Sequence, residues 1–363
     1  LRLWPEQGLP DTPAAWLTTV AQRCAVDALR RTAREAPLPD DIAELPAPDD
    51  EAETSADDKL RLILVCCHPA LSPGAQTALA LRTLCGLSTR EIARVLLEAE
   101  SATAQRLVRA KRKIAEAGIR YALPEPDAMP LRVDAVRQIL YLVFTGGYAA
   151  AEGDALVRED LCREAIRLTG ELRAALPLDA ETLGLHALML LQHARASART
   201  CDAGELVTLA QQDRSRWDHA AIAEGLALLD AAIALRQRGP YQIQAAIAAL
   251  HAKASDADST DWAQIAALYG ALLQLAPTPA AELNAAVALS MAGYRETSLQ
   301  LIAALEAGGA LRHTHYLYAA KGELLLRDGE MAEAAAAFQQ ALALCGNAVE
   351  RAHLARRLAT VAP

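Results

Sequence analysis

Aromatic side chains are scarce in this sequence, 4% of 363 residues with only two phenylalanines, and alanine and leucine fill nearly every segment in their place. Both lose little side-chain freedom in a helix, so an all-α protein is expected. No apolar stretch is long enough to span a bilayer and no signal-like leader opens the chain, so no membrane partner is expected. The seven cysteines are scattered and odd in number, which fits a reducing cytoplasm better than a disulfide framework. Phosphate-binding and nucleophile motifs are missing as well: there is no G-x-x-x-x-G-K-[ST], no G-x-G-x-x-G and no nucleophile elbow. Enzyme chemistry has no recognisable starting point, and neither catalytic activity nor a cofactor is expected. Cys66-Cys67-His68 lacks the second, separated ligand pair that metal sites usually draw on, and His313 and His315 are too distant in sequence to be assumed its partners. It reads as packed helix-end residues, and no metal is expected.

What is present is apolar material and unevenly spread charge. Hydrophobic residues make up 53% of the chain, enough for the buried cores of two or three units. The net charge of -9 argues against uniform attraction to a polyanion, but two segments depart from it in opposite directions. Arg106, Arg109, Lys111, Arg112 and Lys113 follow one another without an acid. Asp40, Asp41, Glu44, Asp49, Asp50, Glu51, Glu53, Asp57 and Asp58 follow one another without a base. The first segment suits nucleic acid; the second imitates it.

Punctuation divides the chain. Trp16 to Arg31 reads as an amphipathic helix with Trp16, Leu17, Val20, Cys24 and Leu29 on its apolar side, after start signals at Asp11, Thr12 and Pro13. Ala36 to Asp58 is rich in Pro, Asp and Glu and lacks apolar periodicity, so an extended, poorly ordered linker is expected there. Three helices follow, over Ser72 to Cys85, Ser88 to Leu97 and Ser101 to Ala117. Gly86 closes the first, Ser88 and Glu91 form a capping box on the second, and Ser101 is expected to cap the third. A short helix, a tight turn and a longer basic helix make a helix-turn-helix. Pro124, Pro126 and Pro130 mark a further boundary, after which roughly ten helices are expected, with breaks at Gly146-Gly147, Leu176-Pro177, Gly239-Pro240, Pro277 to Pro279 and Gly308-Gly309. Tyr318, Gly322, Gly329, Ala334, Phe338 and Ala341 fall at the spacings of a tetratricopeptide unit, and Ala286, Gly293, Ser298 and Ile302 form a weaker copy upstream.

With those residues in view, Leu87 to Ile114, LSTREIARVLLEAESATAQRLVRAKRKI, resembles region four of the extracytoplasmic-function (ECF) sigma factors, in the sigma-70 superfamily. Pro13 to Arg31 resembles the later part of their region two. The runs LILVCCHPAL, LCREAIRL, QQDRSRWD, GPYQIQAAIAALHA and TDW resemble the subgroup that carries a long C-terminal helical, tetratricopeptide-like domain. The resemblance implies residues 1–31 as the end of region two, 32–58 as an acidic flexible linker, 59–122 as region four, 123–275 as a helical extension and 276–363 as tetratricopeptide-like repeats. Residues upstream of Leu1 are expected to complete region two. Departures from the family include Arg23, where Asn is usual, and Leu97-Glu98-Ala99-Glu100, where a Pro-containing turn is common.

On this reading Ser101, Thr103, Gln105, Arg106 and Arg109 approach base edges and phosphates, while Lys111, Arg112 and Lys113 hold the DNA backbone; the arginine fork suits guanine edges and phosphates. Gly8 to Pro13 resembles the family's loop that captures a flipped base, with Trp16 framing it and Arg23, Arg30 and Arg31 meeting phosphates; Trp16 reads equally well as a core anchor. The acidic linker resembles the sigma segment that threads the polymerase active cleft. Asp213 and Asp218, with Arg214 and Arg216 between them and Trp217 beside them, fit either a ligand-binding or acid/base cluster of a helical enzyme or a buried ion-pair network joining helices, and the network is the expectation. Tyr241, Gln242, Gln244 and His251 share another helix. The partners implied are promoter DNA, core RNA polymerase and a regulatory protein or signal acting on the C-terminal part. A promoter-specificity subunit of a cytoplasmic transcription machinery is the function expected; the alternative is a tetratricopeptide-type scaffold with a helix-turn-helix DNA tether.

Overall fold

The computed structural model describes residues 62–83, 86–96, 98–118, 129–149, 155–309 and 311–361. Trp16, Arg23, Arg30, Arg31, the loop Gly8 to Pro13 and the acidic linker lie outside the described residues. Every described element is helical apart from one isolated bridge between Thr200 and Leu206, as the Ala- and Leu-rich composition predicts.

Helical residues 62–66 lead into α1 (Pro73–Thr83), α2 (Thr89–Val95) and α3 (Glu100–Glu116). The next three helices, α4 (Met129–Tyr148), α5 (Glu159–Ala175) and α6 (Ala180–His193), pack beside them. One apolar core joins the two groups: Ile63, Leu64, Leu81, Ile92 and Leu107 share it with Val136, Leu140, Phe144, Leu161, Leu185 and Met189. Polar contacts cross the same junction. The buried Arg132 donates from Nη1 to the Leu64 carbonyl at 2.6 Å, and Arg158 reaches Glu91 of α2 at 3.4 Å.

The α6 helix is central because it is apolar on all sides, as a helix enclosed by others must be. Leu185 and Met189 face the first core, and Leu183, Leu188 and Leu191 face a second one, completed by Trp217, Leu228 and Ala245. Asp179 caps the start of α6, accepting the Thr182 N–H at 2.7 Å, and the buried Arg137 of α4 binds the same carboxylate at 2.6 Å. Neutralising Arg137 at a capped helix start is what lets a guanidinium sit between packed helices.

The remainder is a succession of helices in which each packs on the next: α7 (His219–Ala234), α8 (Pro240–Lys253), α9 (Trp262–Leu275), α10 (Pro279–Met291), α11 (Arg295–Gly308), α12 (His315–Arg327), α13 (Met331–Leu344) and α14 (Ala348–Val361). Gly239-Pro240 and Thr278-Pro279 start α8 and α10 with proline in the first turn, where its missing N–H costs nothing. Gly309 ends α11 in the left-handed conformation at φ 70°. The break expected at Gly146-Gly147 is corrected: α4 runs through both glycines to Tyr148. There Gly147 provides clearance, since a Cβ would lie 2.8 Å from Leu161 Cβ of α5.

Within α12 and α13, Ala334, Phe338 and Ala341 are buried, and a Cβ on Gly322 would meet the Phe338 ring at 2.8 Å. In α10 and α11, the buried Ser298 donates to the Ala286 carbonyl at 2.7 Å and Ile302 fills the adjoining space.

Candidate nucleic-acid interface

The capping box on α2 forms as its spacing requires. Ser88 N–H donates to Glu91 Oε2 at 2.8 Å, and Glu91 N–H donates back to Ser88 Oγ at 3.2 Å. The Ser88 hydroxyl and the Ser88 backbone N–H, helped by Arg158, hold the Glu91 carboxyl below the ordinary glutamate range. The cap on α3 differs from expectation. The helix begins at Glu100, Ala99 occupies the cap position with no side-chain hydrogen bond, and Ser101 lies inside the first turn. Ala99 already has the extended backbone of a cap, φ -68° and ψ 140°, so the chain enters the helix before Ser101 is reached.

The two faces of α3 separate cleanly. Thr103, Leu107 and Ala110 are its buried residues, at the i, i+4, i+7 spacing of a helix stripe. They pack onto α1 and α2 and leave Ser101, Gln105, Val108, Arg109 and Arg112 turned outward, with Lys111 and Lys113 exposed on the flanks. Val108 is 66% exposed; no folding requirement places an apolar residue there. The expectation for Thr103 is corrected. At 0% exposure it belongs to the inner stripe and does not reach a base edge.

Arg106 occupies the boundary between the faces. Its Nη2 lies 2.6 Å from Glu98 Oε1 in the turn before the helix. The guanidinium also lies over Gly74, where any Cβ would collide with Nη1. A cleft of about 500 Å³ opens beside it, lined by Ser72, Gly74, Ala75 and Ala102 and by the cations Arg106, Arg109 and Lys113, with no acid in its wall. Three side-chain cations, Arg106, Arg109 and Lys113, therefore face one space beside the start of α1, the chemistry that accepts a phosphate. Gln105 and Arg109 contact each other at 3.4 Å, and Arg112 pairs with Glu116 at 2.9 Å on an exposed stretch, a pair that DNA can displace at little cost.

Other expected clusters resolve differently. Asp213 and Asp218 are exposed helix caps, accepting the Ser215 and Ala221 N–H groups. Arg214 donates to the carbonyls of His251 and Ala254 at 2.6 and 2.7 Å and lies 4.6 Å from the Trp217 ring centroid. Arg216 donates to the Ser197 carbonyl. The expected ion-pair network is thus corrected: backbone carbonyls and an aromatic face satisfy these cations. Tyr241, Gln244 and His251 border a cavity of about 510 Å³, together with Tyr141, Arg195 and Asn284, which sequence spacing did not single out. Cys66 and Cys67 are buried in the first core, as packed residues should be.

No helix among the described residues is long and apolar enough to cross a membrane. Residues 61–114 match the family described as Sigma-70, region 4, a DNA-binding, helix-turn-helix domain of transcription factors with no enzymatic chemistry. Residues 132–233 match a family of unknown function (DUF6596). Across its whole length the chain is similar to an uncharacterized protein of Rhizobium meliloti (strain 1021), 44% identical over 377 residues that cover 100% of this chain and 89% of that one. The chain therefore belongs to the family of that Rhizobium protein and carries a sigma-70 region 4 domain over residues 61–114.

Proposed function

We propose that this chain is an ECF-type promoter-specificity subunit of RNA polymerase whose helical extension governs how its DNA-reading helix is presented. The observation that carries this reading is the outward polar and cationic face of α3, backed by an apolar stripe that fixes its orientation. Ser101 and Gln105 lie in the N-terminal half of α3, the part a recognition helix turns to base edges. Arg109 reaches the following bases or their phosphates, and Lys111, Arg112 and Lys113 hold the backbone. Arg106 takes a phosphate in the acid-free cleft it shares with Arg109 and Lys113. Where they lie, Trp16, Arg23, Arg30 and Arg31 serve the downstream promoter element as the region-two resemblance implies. The α10 to α13 hairpins, with small residues at their crossings and Phe338 in the gap, support a tetratricopeptide-like surface for a regulatory partner.

The extension is more than an appendage on this reading. Arg132 and Arg158 tie it to residues 62–66 and to the capping carboxylate of α2, so a signal that moves α4 or α5 is felt at the helix-turn-helix. The test is transcription by core polymerase supplied with the complete protein, comparing wild type with Arg109→Ala and Arg106→Ala. Both variants are expected to retain association with core polymerase while losing promoter use. DNA binding by the wild type without any core association would instead favour a scaffold with a DNA tether.

A further inference from the structure

Three helix ends far from α3 bring together a second set of chemically distinctive groups. His315 is the first residue of α12, Cys345 follows the last residue of α13, and Glu350 lies in the first turn of α14. One donor atom from each, imidazole nitrogen, thiol sulfur and carboxylate oxygen, falls within 4.8 Å of the others. His315 Nε2 and Glu350 Oε2 are 3.1 Å apart. The three residues are 8%, 5% and 9% exposed, so this is not a solvated surface group. Although close to His315, Glu350 Oε2 accepts no properly oriented hydrogen bond and is shut off from water. A buried carboxylate oxygen that faces His315 as an ion pair but accepts no oriented hydrogen bond is incompletely satisfied, and a cation placed between the two groups completes it.

We infer that His315, Cys345 and Glu350 form a binding site for a divalent cation of the zinc class. Nitrogen, sulfur and carboxylate oxygen are the donors such a borderline cation selects, whereas calcium and magnesium require oxygen alone. Around a tetrahedral zinc ion, with bonds of about 2.0–2.3 Å, donor atoms sit about 3.3–3.8 Å apart. The present spread reaches that geometry by a contraction of about 1 Å. The Cys345 thiol now donates weakly to the Asn347 carbonyl at 3.5 Å; on metal binding it gives up its proton to solvent and coordinates as thiolate. Three protein donors leave one tetrahedral position for water or an outside ligand.

Asn347, between two of the ligands, caps α14 by accepting the Val349 and Glu350 N–H groups and donates to the Ala155 carbonyl at 2.9 Å. An ion held by its neighbours therefore fastens the last three helices and, through Asn347, the segment leading into α5. The proposal uses no residue of the DNA-reading face and stands independently of the function proposed above.

The test is titration of the complete, metal-stripped protein with Zn²⁺ against a chromophoric chelator, and with Co²⁺ in the spectrophotometer. One equivalent of zinc is expected to bind, to raise the thermal midpoint and to compete with cobalt, whose complex shows a thiolate-to-cobalt charge-transfer band. Cys345→Ser is expected to abolish that band, and Glu350→Gln and His315→Gln to weaken zinc by roughly a hundredfold or more, with helical circular dichroism unchanged. If a variant unfolds, alkylation supplies the second readout: zinc protects Cys345 of the wild type from a thiol reagent. Absence of zinc uptake, survival of the band in Cys345→Ser, or alkylation of Cys345 at an undiminished rate in zinc overturns the proposal.

Discussion

The Arg106 guanidinium lies 2.6 Å from the Glu98 carboxylate, so a residue of the candidate DNA face is held by an acid from the turn that precedes its own helix. This pair sets the direction of Arg106 toward Gly74 and the acid-free cleft. Glu98→Gln keeps the shape and removes a negative charge beside the path of the phosphates. It is expected to raise DNA affinity several-fold at low salt, by about 1 kcal/mol. Arg106→Ala is expected to weaken binding to all sequences alike and to lower the salt slope by about one. Anisotropy titrations at several salt concentrations check both.

The junction between the helix-turn-helix and the extension rests on Arg132, whose buried guanidinium donates to the Leu64 carbonyl. Arg132→Leu leaves that carbonyl without its partner and is expected to cost about 2–3 kcal/mol in urea unfolding. Because Ile92 and Leu107 share a core with Val136 and Phe144, one cooperative transition is expected to include both regions. Separate unfolding of the first three helices would contradict the shared core.

Acid is expected to destabilise the extension through two histidines. Burial pushes His186 and His251 down to about 4, whereas in the unfolded chain they titrate near about 6.5. Between those values the unfolded state binds protons that the folded state refuses. Stability is full above the upper value and falls as pH drops toward the lower, by a few kcal/mol on the order of. Replacing His186 by Gln is expected to make the unfolding midpoint less steep across that window, His251 keeping the rest, read by thermal melts from pH 7 to pH 4.

The α12 and α13 hairpin depends on a size match. Gly322→Ala drives a methyl into the Phe338 ring and is expected to cost about 1–3 kcal/mol. Phe338→Ala empties a fully buried position and is expected to cost about 3–5 kcal/mol. Thermal melts of the two variants and their double mutant are expected to be non-additive, because the smaller residue at 338 leaves room for the methyl.

Local chemistry made much of this legible in advance. Ser88 and Glu91 are three residues apart and their bond is short-range, so a capping box could be read from spacing alone. Gly239-Pro240 and Gly309 likewise announce helix ends by backbone preference. The spacing of Thr103, Leu107 and Ala110 is that of one helix stripe, so the register with Leu107, not the chemistry of its side chain, decides the direction of Thr103. Ser101 has the chemistry of a cap but not the place of one, because the conformation of Ala99, a residue without a capping group, sets where the helix begins. Longer-range relationships had no local signal. Nothing in the spacing of Glu98 and Arg106 fixes the turn that pairs them, and His315, Cys345 and Glu350 meet only because three helix ends converge. The Asp213 to Asp218 cluster shows a related error: alternating charges suggested mutual pairing, but each group found a nearer backbone partner.

The most direct test of the central claim uses core polymerase and a promoter identified from the start sites of transcripts the wild-type protein directs. The exposed-face variant Gln105→Ala, Arg109→Ala is compared with the wild type in run-off transcription, with coelution with core polymerase measured in parallel. Loss of two contacts worth about 1–3 kcal/mol each is expected to reduce initiation at least tenfold, at unchanged coelution. Initiation equal to wild type by this variant would contradict the assignment of α3 to the promoter.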